Sequence, residues 1–286
     1  MNNPTSQVQK QDNQFIHPWD NFQNLGNNHR TVVEKGDGIY IYDSQGNRLI
    51  DGPSGMWCVN IGHGRKEMAQ AIYDQVMQLS FTSPWSMATS PAAQFSQALA
   101  AEAPGDLNHA FLTTCGSTAV DSALRFVQFY NNYRGKPEKK KIISRLKGYH
   151  GSTYLSASVS GKERDKNYLD FATDLVHHIP APHPLFKPEQ MTDADFLDQC
   201  VADLENKIIE LGEIRLPFLL LNPSLLLVAS LFRPKAITSV ALTYAINTTC
   251  FIYPMRSLLP LVDLGIFLPP RLCLTLCLIL SPRPKV

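Results

Sequence analysis

Two stretches carry the residue types best suited to chemistry: Cys115-Gly116-Ser117-Thr118-Ala119-Val120-Asp121 and, further along, Gly148-Tyr149-His150-Gly151. Gly116 lets the backbone turn without a Cβ clash. Ser117 and Thr118 stand where the first N–H groups of a following helix point outward unpaired. A helix start with two hydroxyls beside it suits an anion, and a phosphate best of all. Serine and threonine also cap helices that bind nothing, so the turn alone leaves both readings open.

These residues need elements to hold them. The apolar run Ala110-Phe111-Leu112-Thr113 before the turn reads as a strand. After it, Ala119, Ala123, Leu124, Val127 and Tyr130 share one face, which predicts a helix over 116–134. Lys141 to Ser144 reads as a second strand and His177 to Pro180 as a third. A last helix over 194–211 turns Phe196, Leu197, Cys200, Val201, Leu204 and Ile208 inward. Upstream, Gly38 to Tyr42 and Arg48 to Asp51 flank the turn cluster Asp43-Ser44-Gln45-Gly46, a hairpin pattern. Gly52 to Cys58 is a loop. The next helix has Met68, Ile72, Val76 and Leu79 as its apolar face. Ser90-Pro91 caps another, with Phe95 and Leu99 on its buried side and Pro104-Gly105 as its stop. Residues 1–14 are polar and expected to fray. Alternating strands and helices imply an α/β domain with a mostly parallel sheet.

The net charge of +1 asks for neither nucleic acid nor an acidic membrane surface. The average hides a break at Ile214. From there on one acid, Asp263, stands against seven basic residues, and all eight histidines lie earlier. The six cysteines form no CxxC pair and no metal-ligand spacing. With a polar N-terminus that lacks signal-peptide features, they read as free thiols in a reducing cytoplasm.

Four features in order, the hairpin with Asp43 and Gly46, the run Gly55 to Gly64, Gly116-Ser117 opening a helix, and Tyr149-His150-Gly151-Ser152-Thr153, resemble the class III pyridoxal-phosphate aminotransferases, the ω-transaminase group. The resemblance covers about residues 15 to 212. It implies a fold-type-I α/β large domain, present in part, and pyridoxal 5'-phosphate as cofactor. The substrates would be a small-molecule amine and an oxo acid, and the intact relatives are homodimers with the active site at the interface. Gly116, Ser117 and Thr118 would hold the cofactor phosphate. Tyr149 would stack on the pyridine ring, and His150 would lie beside it, either as a catalytic group or as a hydrogen-bonded structural histidine. Trp57 would wall the substrate pocket; without the resemblance it reads as core. The family's helix start is Gly-Ser-Glu-Ala-Asn and an acid. Here Thr118 and Val120 replace the glutamate and the asparagine, and Asp121 keeps the acid.

The resemblance requires two further groups: an aspartate for the pyridine nitrogen and a Schiff-base lysine, both normally past residue 212. The tail as written carries neither. One explanation is a membrane segment, since Leu216 to Phe232 has no charge. However, Pro217 and Pro223 interrupt it, and it is shorter than the roughly 20 residues a span needs. Another is a shifted reading frame. Codons built from the last base of one residue's codon and the first two of the next permit Glu-Pro at Asn222-Pro223 and Gly-Gly at Val228-Ala229. They permit I-S-D-E-V-V-T-A-F-G-R-L-G-H-F over Ile252 to Phe267 and P-D-I-I-T-S-A-K-G over Leu278 to Val286. These strings resemble the missing family motifs in order and spacing.

A one-base loss near Gly212–Glu213 follows as the expectation. The chain then divides into residues 1–50, an N-terminal segment with the hairpin; 51–212, the first part of the cofactor-binding domain; and 213–286, a tail foreign to the fold. No catalytic residue is in frame, and Lys285 only overlaps the codon of the lysine. Two other classes stay open: a non-enzymatic phosphate-ligand or dimer-partner protein, and a protein tethered to a membrane by its tail.

Overall fold

The structure is a computed structural model. It describes residues 4–27, 29–103 and 108–212, and beyond them the backbone of three short strands at 218–221, 251–254 and 278–280. The chain divides into two compact units, Met1–Met87 and Ala88–Val286.

The first unit begins with a helix, α1 (Pro4–Asp12), where fraying was expected. Its polar side chains find partners further along the chain. His17 Nε2 lies 2.8 Å and Arg30 Nη1 3.4 Å from the Asp12 carboxylate, and Gln9 Nε2 donates to the Arg30 carbonyl. The expected hairpin is two strands of a three-stranded antiparallel sheet: β1 (Val33–Asp37), β2 (Tyr40–Asp43) and β3 (Arg48–Ile50). Asp43 makes its turn by accepting from the amides of Gln45 and Asn47, while Gly46 takes φ +84°. A short helical segment, α2 (Ser54–Trp57), and a regular helix, α3 (Lys66–Gln78), follow. The α3 face of Met68, Ile72, Val76 and the adjoining Leu79 is present as the spacing requires. Among the described residues it is open to solvent: Ile72 is 58% and Val76 52% exposed.

The second unit has the core. Helix α4 (Ser90–Glu102) buries Leu99 and half-buries Phe95. Then come β4 (His109–Phe111), α5 (Gly116–Tyr133), β5 (Ile142–Arg145), α6 (Tyr154–Val159), β6 (Val176–Ile179) and α7 (Asp193–Leu211). Thr192 caps α7 by accepting from the Asp195 amide. Strands β5 and β6 pair in parallel with Ser144 opposite His178. The backbones of β7 (Phe218–Leu221) and β8 (Phe251–Pro254) extend this parallel sheet in the order β6-β5-β7-β8, and β9 (Leu278–Leu280) pairs antiparallel with β4. Between sheet and helices, Val120, Leu124 and Val127 of α5 pack with Ile142, Val159 and Val176. Leu204 and Ile208 of α7 are buried as well. Each such side chain contributes about 1.5–3 kcal/mol when fully removed from water.

Among the described residues no helix is long and apolar enough to cross a membrane. The tail, apart from the three strand backbones, lies outside the described residues. Cys58, Cys115 and Cys200 are free thiols.

Candidate cofactor-binding site

The start of α5 and the loop after β5 form one construction. Cys115 caps the helix in an extended conformation, its sulfur accepting from the Thr118 amide while Thr118 Oγ1 accepts from the Cys115 amide at 3.1 Å. The capping residue is therefore the cysteine, with Thr118 as its reciprocal partner; the spacing had suggested only the two hydroxyl residues for this task. The Thr118 amide donates to the sulfur, and Thr118 Oγ1 lies 3.6 Å from it. They hold the thiol below its ordinary range, the Thr118 amide first among them.

The loop is latched onto this turn by three bonds. The Ser152 amide donates to Ser117 Oγ at 3.0 Å, and Thr153 Oγ1 donates to the Ser117 carbonyl at 3.4 Å. The Ser156 amide donates to Asp121 Oδ1 at 2.8 Å. Asp121, the acid that the motif retains, thus ties α5 to α6. Gly151 sits inside the latch with φ +141°, and a Cβ there would come within 2.7 Å of Ser117 Oγ. Only glycine fits.

Tyr149 is half-buried, with its hydroxyl 2.8 Å from Ser152 Oγ and Lys162 Nζ 5.3 Å from its ring centre. Its ring is therefore linked through Ser152 to Ser117. His150 lies beneath the loop, 4% exposed. Its amide donates to Ser160 Oγ at 2.9 Å, and Nε2 lies 3.4 Å from Ser144 Oγ. Nδ1 has no hydrogen-bond partner among the described residues. Burial pushes the imidazole pKa down to about 3, helped by the neighbouring His178 and Arg145, so the ring is neutral at pH 7.

The structure thus brings Gly116, Ser117, Thr118, Tyr149 and His150 together within one unit. Trp57 belongs to the other unit; it ends α2, and its side chain lies outside the described part. Reading by motif passed over Ser156 and Ser160. Their signal is the series Ser152, Ser156 and Ser160, spaced by one helical turn.

Residues 22–211 match the model of the aminotransferase class-III family. The putrescine–pyruvate aminotransferase of Pseudomonas aeruginosa is 36% identical over 197 residues, covering 68% of this chain and 43% of that protein. The diaminobutyrate–2-oxoglutarate transaminase of Halomonas elongata is 36% identical over 185 residues, covering 63% and 39%. The chain thus spans less than half the length of these curated relatives. Among solved structures, the ω-transaminase of Pseudomonas jessenii in complex with PMP has a TM-score of 0.80 at 28% identity, covering 86% of this chain and 55% of that one. An (S)-enantioselective ω-transaminase from Thermomicrobium roseum gives 0.80 at 26%, covering 87% and 56%. The fold is the type-I α/β fold of these enzymes, and the cofactor of the family is pyridoxal phosphate. The chain belongs to the class III aminotransferases.

Proposed function

We propose that this chain derives from an enzyme that moves the amino group of an amine or ω-amino acid to an oxo acid such as pyruvate, and that the α5 start is its phosphate cup. The observation that carries the reading is the start of α5, where the Thr118 amide donates to one electron-rich atom, the Cys115 sulfur, with Thr118 Oγ1 3.6 Å from the same atom. That is the donor set a phosphate oxygen needs. Gly116, Ser117 and Thr118 would hold the phosphate once the thiol turns aside. Tyr149 would set the plane of the ring, and His150, neutral and bonded beneath the loop, would support Tyr149 from below. When bound, pyridoxal phosphate supplies an electron-withdrawing ring to the reacting amine. The test is a titration with pyridoxal phosphate followed by visible absorbance. Inorganic phosphate should compete, and Ser117→Ala should weaken binding roughly tenfold, the effect of losing about 1.4 kcal/mol of hydrogen bonding. Binding indifferent to both would remove the assignment.

We further infer that residues 213–286 are read in a shifted frame and that the chain as written has no transaminase activity, because the lysine is out of frame. The end of the family match at residue 211 supports this. So does the placement of the shifted string I-S-D-E-V. Its aspartate falls on the codons of Pro254 and Met255, at the carboxyl end of β8, where parallel α/β sheets bind ligands. One DNA read decides the matter. The shifted aspartate requires the Pro254 codon to end in G, the glutamate requires Arg256 to begin AG, and the lysine requires the Pro284 codon to end in A. Any other base at these places refutes the shift.

The homodimer belongs to the intact family rather than to the chain as written, and the apolar face of α3 is a surface suited to such cover. The same reading places the protein in the cytoplasm, in keeping with the free thiols of Cys58, Cys115 and Cys200.

A further inference from the structure

Ser54, Gly55 and Met56 stand in succession at φ +51°, +58° and +62°. Two of the three carry side chains, which disfavour this left-handed region. Such a turn persists only where its surroundings hold it. The Ser54 amide donates to the Asp51 carbonyl at 3.0 Å, the Ser54 carbonyl accepts from the amides of Cys58 and Val59, and Ser54 Oγ donates to the Val59 carbonyl at 2.7 Å.

The side chain of Asp51 closes the knot. One carboxylate oxygen accepts from the Gly55 amide at 3.1 Å, and the other lies 2.9 Å from His63 Nε2. His63 is itself fixed. It exchanges both backbone bonds with Gly38, at 2.8 and 3.1 Å, and its ring lies over Gly36, where a Cβ would come 2.5 Å from Cγ. The Gly55 amide and then His63 hold the Asp51 carboxyl below its ordinary range.

We propose that Asp51 and His63 are a positioning pair that clamps the left-handed turn at Ser54–Met56 and so fixes the backbone leading into Trp57. The pair spans β1, the turn and the approach to α3. If Trp57 walls the substrate pocket, a consequence that rests on the aminotransferase reading, the clamp sets the room available to the amine.

The test uses the full chain with Trp19→Phe and Trp85→Phe, which leaves Trp57 as the sole tryptophan. Amide exchange over 52–60 and Trp57 emission are measured for Asp51→Ala, His63→Ala, His63→Gln and Gly36→Ala. The two alanine variants of the pair should speed exchange over 52–60 by about tenfold or more and shift the emission. Gly36→Ala, which displaces the ring but keeps both partners, should do the same. His63→Gln, which can still donate to Asp51, should recover part of both signals. Unchanged exchange in the alanine variants overturns the proposal. So does an equal rise throughout 33–50, which would give the pair to the hairpin instead. Neither readout involves the cofactor, so this clamp and the aminotransferase reading fail separately.

Discussion

The two units are held together by different physics. Among the described residues, all the buried apolar ones, from Leu99 to Ile208, lie in the second unit, where α5 and the parallel strands enclose a core that excludes water. Among the described residues the first unit buries none. It has polar knots instead: Asp12 with His17 and Arg30, Asp43 within its turn, and Asp51 with His63. Its longest helix bears an apolar face open to solvent. A correct helical period therefore fixes which residues share a face but not what covers that face. Covering it takes a part of the fold or a partner that the local pattern does not encode.

Substitutions should separate the units sharply. Leu124→Ala, at 2% exposure, should cost about 2–5 kcal/mol in urea unfolding of the second unit. Ile72→Ala on α3 should cost less than about 0.5 kcal/mol in the isolated chain, as surface changes do. A larger loss at Ile72 would mean that the face is already covered in solution, and sedimentation would reveal by what.

Acid should divide them too. His150 takes up a proton near pH 6.5 when unfolded but only at about 3 when folded. Between these values the unfolded state binds the extra proton, so the second unit loses stability as pH falls, by about 1.4 kcal/mol per pH unit. His177 and His178, also pushed down by burial, add to the slope, and His150→Gln should remove its own share. The knot carboxylates of the first unit are depressed below 3.8. Their contribution is present above that value and fades only as pH falls below it. Unfolding followed separately in peptides of the two units should show the second unit weakening first on acidification.

A smaller effect is expected at the latch. Asp121→Ala leaves the Ser156 amide without its acceptor and should cost about 1–3 kcal/mol. Thr118→Val, which loses the reciprocal cap, should cost about 1 kcal/mol.

Most of the second unit was legible in the sequence, because its helices bury one face against a sheet inside the same stretch of chain. Ala119, Ala123, Leu124 and Val127 give the period of α5, and each is buried. The turn that opens α5 was legible from Gly116, Ser117 and Thr118, residue types favoured at a helix start. Its latch was not. The bonds from Ser117 to Ser152 and from Asp121 to Ser156 join residues 35 apart in sequence, and nothing local announces such a pairing. Helix α1 escaped for the same reason: Arg30 reaches Asp12 from 18 residues away. The fate of His150 depended on burial, which a lone histidine between a tyrosine and a glycine does not reveal.

The most direct measurement is turnover of a panel of amines and ω-amino acids with pyruvate, with pyridoxal phosphate supplied, by two proteins. One is the chain as written; the other is expressed from the same gene with one base restored between the codons of Gly212 and Glu213. The account predicts no turnover by the first and clear turnover by the second. Turnover by the chain as written, or a folded but inactive restored protein that accepts no amine, would contradict it.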